Sequence, residues 1–232
     1  MKVEIFPDAE AVAQKAAQFI AAAARDAVAT RGRFTFAVSG GQAPWAMLRL
    51  LATEDVPWAG VHLFQVDERV APAGDKDRNL THLKESLLGR VKLAGGQVHA
   101  MPVEDKDLAA AASRYAQELE SIAGSPPVLD LVHLGLGPDG HTASLVPGDK
   151  CLEVTSADVT PSGPYQGHLR MTLTYPVLNR ARTILWLITG ADKVSMFARL
   201  QAGDRTIPAG RVRSDRAVVL ADAAAAGSPK RT

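Results

Sequence analysis

Short apolar runs that stop abruptly and give way to helical patterns recur along this chain, and that alternation restricts its fold more than any other feature. Phe34-Thr35-Phe36-Ala37-Val38, Val61 to Val66, Val98 to Met101, Val128 to Leu134, Thr183 to Ile188 and Arg216 to Leu220 each read as a buried strand. Helical stretches lie between them. Val12, Ala16, Phe19, Ile20, Ala23 and Ala27 share one face of a helix that opens at Pro7 or Asp8 and stops at Gly32. Pro44 suits the first turn of a helix from Trp45 to Leu51, after a small-residue loop Ser39 to Ala43. Asn79 is placed to cap a helix Leu80 to Leu88 that Gly89 ends, Leu108 to Ile122 is alanine-rich and helical, and a further helix runs to Leu200. Leu169 to Thr174 alternates like a strand with one exposed face, whereas Pro161, Gly163 and Pro164 interrupt the stretch from Cys151 to Gly167. Ala223 to Thr232 reads as a frayed tail. Strands alternating with helices predict an α/β fold: an open, mainly parallel sheet with helices on both faces. A length of 232 residues with 47% hydrophobic content suits one core, and so a single domain over 1–232.

Charge and composition narrow the function classes. A net charge of +1 without a basic run argues against nucleic acid as the partner. No apolar run reaches the length of a membrane span, and the start of the chain lacks the pattern of a secretory signal, so a cytoplasmic protein is expected. The one cysteine, Cys151, excludes an intrachain disulfide and reads as a small buried hydrophobe. His62, His82, His99, His133, His141 and His168 form no HxxxH or HExxH pair, which argues against a metal site. His133, inside a strand, reads as a hydrogen-bonded core residue.

Four strands end directly in unusual sequence: Ser39-Gly40-Gly41, Asp67-Glu68-Arg69, Gly135 to Leu145, and Thr189-Gly190 ahead of Lys193. Ligands of open α/β sheets bind outside the carboxyl ends of strands, so these segments are expected to meet in one crevice. In the third of them, glycines and a proline break regular structure and deliver His141, a side chain suited to proton transfer near neutrality. Ser39-Gly40-Gly41, ahead of a helix N-terminus, suits a phosphate, although it is neither a Walker A loop nor a dinucleotide fingerprint. Arg69 offers a guanidinium for an anion beside Asp67, and Arg170 and Lys193 are cations best explained by an anion sharing their site. A competing reading stays open: Ala37-Val38-Ser39-Gly40-Gly41 nearly matches a nucleophile elbow, which would make Ser39 the nucleophile of a serine esterase.

The combined pattern resembles the 6-phosphogluconolactonase family. Its carriers are Val38-Ser39-Gly40-Gly41 with Pro44, Asp67-Glu68-Arg69-Val70 with Asn79, Gly135-x-Gly137-x-Asp139-Gly140-His141-Thr142-Ala143-Ser144-Leu145-x-Pro147-Gly148, Arg170-x-Thr172, Gly190 with Lys193, Pro208-Ala209 and Asp222. The resemblance spans nearly the whole chain, and the His141 loop is its most specific part. It implies a Rossmann-like fold shared with glucosamine-6-phosphate deaminase and hydrolysis of 6-phospho-D-glucono-1,5-lactone to 6-phosphogluconate without a cofactor. Gln42-Ala43 depart from the family's usual Ser-Thr ahead of Pro44, and Val146 replaces a more usual Phe. Deaminases carry Asn-Glu-Pro where this chain has Leu145-Val146-Pro147, and a tyrosine where it has Arg69. The missing glutamate removes an acid/base group of the isomerisation.

The expected site therefore has His141, Asp139 and Arg69 as catalytic residues, with His141 activating water, Asp139 orienting the loop or the imidazole, and Arg69 or backbone N–H groups facing the oxyanion. Ser39, Gly40, Gly41, Asp67, Arg170 and Lys193 are expected to bind the sugar phosphate. A non-catalytic sugar-phosphate sensor is the reading from another class, weakened because Lys2 to Gly32 offers one helix and no helix-turn-helix.

Overall fold

The computed structural model describes residues 1–227. In chain order the elements are β1 (Lys2–Phe6), α1 (Ala9–Arg31), β2 (Phe34–Val38), α2 (Gln42–Leu51), β3 (Val61–Gln65), β4 (Asp67–Arg69), α3 (Asn79–Leu83), β5 (Val98–His99), α4 (Leu108–Ala123), β6 (Leu131–Gly135), β7 (Val159–Tyr165), β8 (His168–Leu173), α5 (Tyr175–Arg180), β9 (Thr183–Ile188), α6 (Val194–Gln201) and β10 (Ala217–Asp222). A 7-stranded sheet runs β1-β10-β9-β6-β2-β3-β5, and every pairing in it is parallel.

Alternation along the strands splits the core in two. Phe34, Phe36 and Val38 of β2, Leu63 of β3, Leu185 and Leu187 of β9 and Leu220 of β10 pack with α1, α2 and α3 on one face. Ala37, Phe64, Val132, Leu134, Ile184, Trp186, Val219 and Ala221 point the other way, towards α4, α5 and α6. A parallel sheet covered on both faces explains why its strands read as nearly continuous apolar runs. The expected α/β architecture is the one observed.

Several local expectations are corrected. Lys2–Phe6 forms a strand that was not anticipated, paired from Lys2↔Val218 to Phe6↔Asp222 at the edge of the sheet. Asp67-Glu68-Arg69 is a strand in its own right, the outer member of a 3-stranded antiparallel sheet β4-β8-β7. β7 forms within the interrupted stretch, irregular between Ser162 and Tyr165, while β5 stops at His99 and β6 starts only at Leu131. Gln42 and Ala43 lie in the first turn of α2 instead of a loop, and α5 is a short helix with Pro in its first turn.

Asn79 does not cap α3 with its side chain. The buried Glu68 carboxylate takes that role from outside, accepting the N–H groups of Asn79 and Leu80, both at 2.8 Å. Asp8 does cap α1, accepting from Ala11 N at 2.9 Å. Ala223–Gly227 are not frayed: Ala223 N donates to Phe6 O at 2.8 Å, and Ala225 N donates to Asp222 Oδ1 at 2.7 Å. The remainder of the expected tail, 228–232, lies outside the described residues.

No helix among the described residues is long and apolar enough to cross a membrane.

Candidate active site

The loop after β6 folds back on itself before it reaches His141. Gly140 N donates to Gly137 O at 3.0 Å, Gly137 N to His141 O at 2.8 Å, and Ala209 N to Gly140 O at 2.9 Å. Gly140 has φ +83°, and a side chain there would press on Ile207. At Gly137 the constraint is space: a Cβ would stand 2.0 Å from His141 Nδ1. These two glycines set the imidazole's position through backbone geometry. Gly137→Ala, which removes no functional group, is expected to push the ring aside and lower kcat about 10- to 100-fold, since small misplacement of a reacting group costs that order. Far-ultraviolet circular dichroism would check that the fold is retained; wild-type kcat in a folded variant would show that the ring has room to adapt.

His141 Nδ1 lies 2.6 Å from Asp139 Oδ1, and His141 N donates to the same oxygen at 3.1 Å. Burial pushes the Asp139 carboxyl up, but the ring and backbone N–H groups of His141 and the Tyr165 hydroxyl outweigh it and hold the group below its ordinary range. An ionised carboxylate only accepts hydrogen bonds, so Nδ1 carries the proton and Nε2 keeps its lone pair. The pair thus presents a base on one nitrogen and a fixed tautomer on the other.

Ser39, Gly40, Asp67, Arg69, Asn79, Gly137, His141, Arg170 and Lys193 all line one crevice of ≈ 200 Å³, which the expected convergence of strand ends requires. Asp139 stands behind His141 instead of on the wall, and Gly41, the N-cap residue of α2, does not line the crevice. Two of the expected ligand-binding groups are otherwise committed. The Ser39 hydroxyl donates to His133 O at 3.0 Å, and Ser39 N donates to His133 Nδ1 at 3.3 Å. Its hydroxyl is thereby tied to β6 instead of to a general base, which removes the geometric support for a serine nucleophile. His133 is fully buried, and burial pushes its imidazole down to about 3, so it serves there as a neutral acceptor. The Asp67 carboxyl is raised chiefly by burial, offset by a 2.6 Å hydrogen bond from Ser144 Oγ and by Arg69 and Arg170. On the crevice wall it is held by Ser144, close to Arg170.

The cations keep capacity for an anion. Arg69 Nη1 donates to Asp77 O at 2.7 Å, while its buried Nε has no hydrogen-bond partner among the described residues. Arg170 is 3% exposed, its Nε and Nη2 each 3.3 Å from Tyr165 O and its Nη1 4.0 Å from Asp67 Oδ2. Lys193, also on the lining, pairs with Asp192 at 2.7 Å. Gathering one buried and two half-buried cations around so small a space is unfavourable unless negative charge joins them.

Sequence reasoning missed three supporting residues. Asn79 donates to Asp67 O at 3.0 Å, Ser144 bridges Asp67 and Arg170, and Tyr165 donates to Asp139 Oδ2 at 3.1 Å. Asn79 and Ser144 stood inside recognisable motifs; Tyr165 carried no signal. Cys151 is buried, its thiol pushed up to about 12 by burial and Asp149, and it behaves as the hydrophobe expected.

A parallel sheet that delivers a histidine–carboxylate pair, joined by a small antiparallel sheet that brings Arg69 and Arg170 to the same crevice as Lys193, defines an α/β enzyme for a small anionic substrate. More particularly, the chain belongs to the family described as glucosamine-6-phosphate isomerases/6-phosphogluconolactonase, which matches residues 7–220. It is 35% identical over 204 residues to a 6-phosphogluconolactonase of Nostoc sp. (strain PCC 7120), covering 86% of this chain and 85% of that protein. The crystal structure of 6-phosphogluconolactonase from Thermotoga maritima superimposes with a TM-score of 0.85 at 26% identity, over 95% of this chain and 98% of that one. A monomeric glucosamine-6-phosphate deaminase superimposes with a TM-score of 0.83 at 21% identity, over 99% of this chain and 100% of that one; this likeness concerns the fold alone.

Proposed function

We propose that this protein hydrolyses 6-phospho-D-glucono-1,5-lactone to 6-phospho-D-gluconate, the lactone step of the oxidative pentose phosphate pathway. The observation that carries the reading is the free Nε2 of His141, fixed by Asp139 at 2.6 Å, in a crevice walled by Arg69, Arg170 and Lys193. Relatives named 6-phosphogluconolactonase support the substrate.

In this mechanism Nε2 takes a proton from water as the water attacks the lactone carbonyl carbon. The imidazolium, paired with Asp139, then returns a proton to the departing ring oxygen. A lactone is activated enough for direct attack, so no acyl-enzyme is needed. The Arg69 guanidinium, with its unpartnered Nε, faces the developing oxyanion. Arg170 and Lys193 hold the phosphate together with the backbone of Gly40. Asp67 acts through Ser144 and Arg170 instead of touching substrate. The deaminase alternative lacks its acid/base group, because the position after Leu145 is the buried Val146. The chain works as one domain, since strand ends of both sheets supply the crevice, and a cytoplasmic setting fits its lone buried cysteine.

The test is turnover of freshly generated 6-phosphogluconolactone, with and without a chelator, in parallel with a serine-directed fluorophosphonate and with glucosamine 6-phosphate. Turnover of the lactone that survives both reagents, with none of the amino sugar, is expected. Inactivation with labelling at Ser39 would make the protein a serine esterase. Product binding without turnover would make it a sensor.

A further inference from the structure

Tyr165 stands near the tip of the β7–β8 hairpin and touches both the His141–Asp139 pair and Arg170. We propose that Tyr165 is a positioning residue for lactone hydrolysis, holding Asp139 by the carboxylate oxygen that His141 leaves free, with its hydroxyl 3.4 Å from His141 Nδ1, and tying that alignment to the anion-binding guanidinium of Arg170. This rests on the reading of His141 as the base.

Asp139 Oδ1 is used twice by His141, through the ring and the backbone N–H. Its other oxygen accepts from the Tyr165 hydroxyl at 3.1 Å. The contact is needed because the Asp139 side chain, 36% exposed, also borders an open cavity of ≈ 850 Å³ on the far side of the loop. Without it, the carboxylate has only one of its two oxygens held and is free to rotate towards that solvent. Burial and the Asp139 charge push the Tyr165 phenol up, so it remains a donor across neutral pH. The phenol ring meets the imidazole edge-on, with centroids 5.2 Å apart and planes at 64°.

The same residue reaches the cation. The Arg170 guanidinium carbon lies 5.0 Å from the centre of the Tyr165 ring, and Tyr165 O accepts from Arg170 Nε and Nη2. β7 and β8 lose register between Ser162 and Tyr165. Irregularities of this kind re-aim side chains beside active sites. An anion that fixes Arg170 thereby steadies the hairpin and, through the phenol, the carboxylate that orients the base.

The test compares Tyr165→Phe, Asp139→Asn and the double variant in steady-state turnover of 6-phosphogluconolactone across pH, with folding checked by thermal melts. Tyr165→Phe is expected to lower kcat about three- to tenfold, the effect of one hydrogen bond to a charged group's partner network, with KM little changed. The acid limb of its rate profile should move to lower pH, because a carboxylate that turns towards solvent holds an imidazolium less firmly. In the Asp139→Asn background the same substitution should change kcat by less than about twofold. Tyr165→Leu, which also removes the ring beneath Arg170, should in addition weaken binding of 6-phosphogluconate measured by calorimetry. A folded Tyr165→Phe with wild-type kcat and pH profile would overturn the proposal, and so would an undiminished effect in the Asp139→Asn background. If His141→Asn is inactive while Tyr165→Phe is neutral, only the role of Tyr165 falls; if His141→Asn retains turnover, the base assignment beneath it falls as well.

Discussion

His141→Asn is expected to lower kcat by about 10²–10⁴-fold, the range lost with a general base, while affinity for 6-phosphogluconate stays close to that of the wild type. The split follows from position. His141 reaches the crevice from the loop after β6, whereas the cations that would hold the phosphate come from β8 and the turn before α6. Asparagine can still donate to Asp139 from its amide, so the loop keeps its hydrogen bond and the variant should fold. What disappears is a nitrogen lone pair able to accept a proton from water. Steady-state rates on the lactone, read beside product binding by calorimetry, separate the two effects. A kcat within a few-fold of wild type would remove His141 from the chemistry.

The second large effect is expected on stability. The Glu68 side chain is 0% exposed and accepts from Gln65 Nε2, Arg69 N, Asn79 N and Leu80 N, each at 2.8 Å, with Arg78 Nε at 3.2 Å. One carboxylate therefore closes the N-terminus of α3, fixes the backbone of Arg69 and neutralises Arg78, itself 3% exposed. Glu68→Ala leaves a buried guanidinium whose remaining carboxylate, Glu104, is largely exposed. Breaking a buried pair from one side costs about 3–5 kcal/mol, which for a chain of this size lowers Tm by roughly 6–20 °C. Because Arg69 and Asn79 both lean on Glu68, kcat/KM should fall even at temperatures where the variant is folded. Glu68→Gln, which keeps an acceptor for part of the set, should lie between. A Tm within about 2 °C of wild type for Glu68→Ala would mean that the surrounding donors find other partners.

What could be read from the sequence divides along a physical line. The strands buried on both faces were visible because burial forces continuous apolar runs, and their polar ends marked the crevice. His141 and Asp139 were visible because their geometry is local, two residues apart on one turn. β1 was not: Lys-Val-Glu-Ile-Phe lies at a half-exposed edge, and what makes it a strand is β10, far away in the chain. Asp67–Arg69 is polar throughout, and its strand geometry comes from pairing with Arg170–Thr172. Ser39 was misjudged for a related reason. Its neighbours suggested a free hydroxyl, but a carbonyl of β6 on the adjoining strand claims it. Ser144 stood in the His141 motif, but its role comes from contacts across the chain with Asp67 and Arg170, and Tyr165 acts through contacts that no local pattern encodes.

The pairing of Lys2–Phe6 with Val218–Asp222 bears on how the chain acquires its structure. During synthesis β1 emerges well before β10 and waits for it, since among the described residues it has no other partner in the sheet. α1, β2 and the strands beside them can assemble earlier around contacts closer in sequence. Closing that edge requires the largest loop among the described strand pairings, a slow, entropy-limited event. Until then, the hydrogen-bonding groups of β10 that β1 will cover remain open. β1 is thus placed to close the edge of the sheet late, and the interval before it docks is when that edge is most open to pairing with another chain.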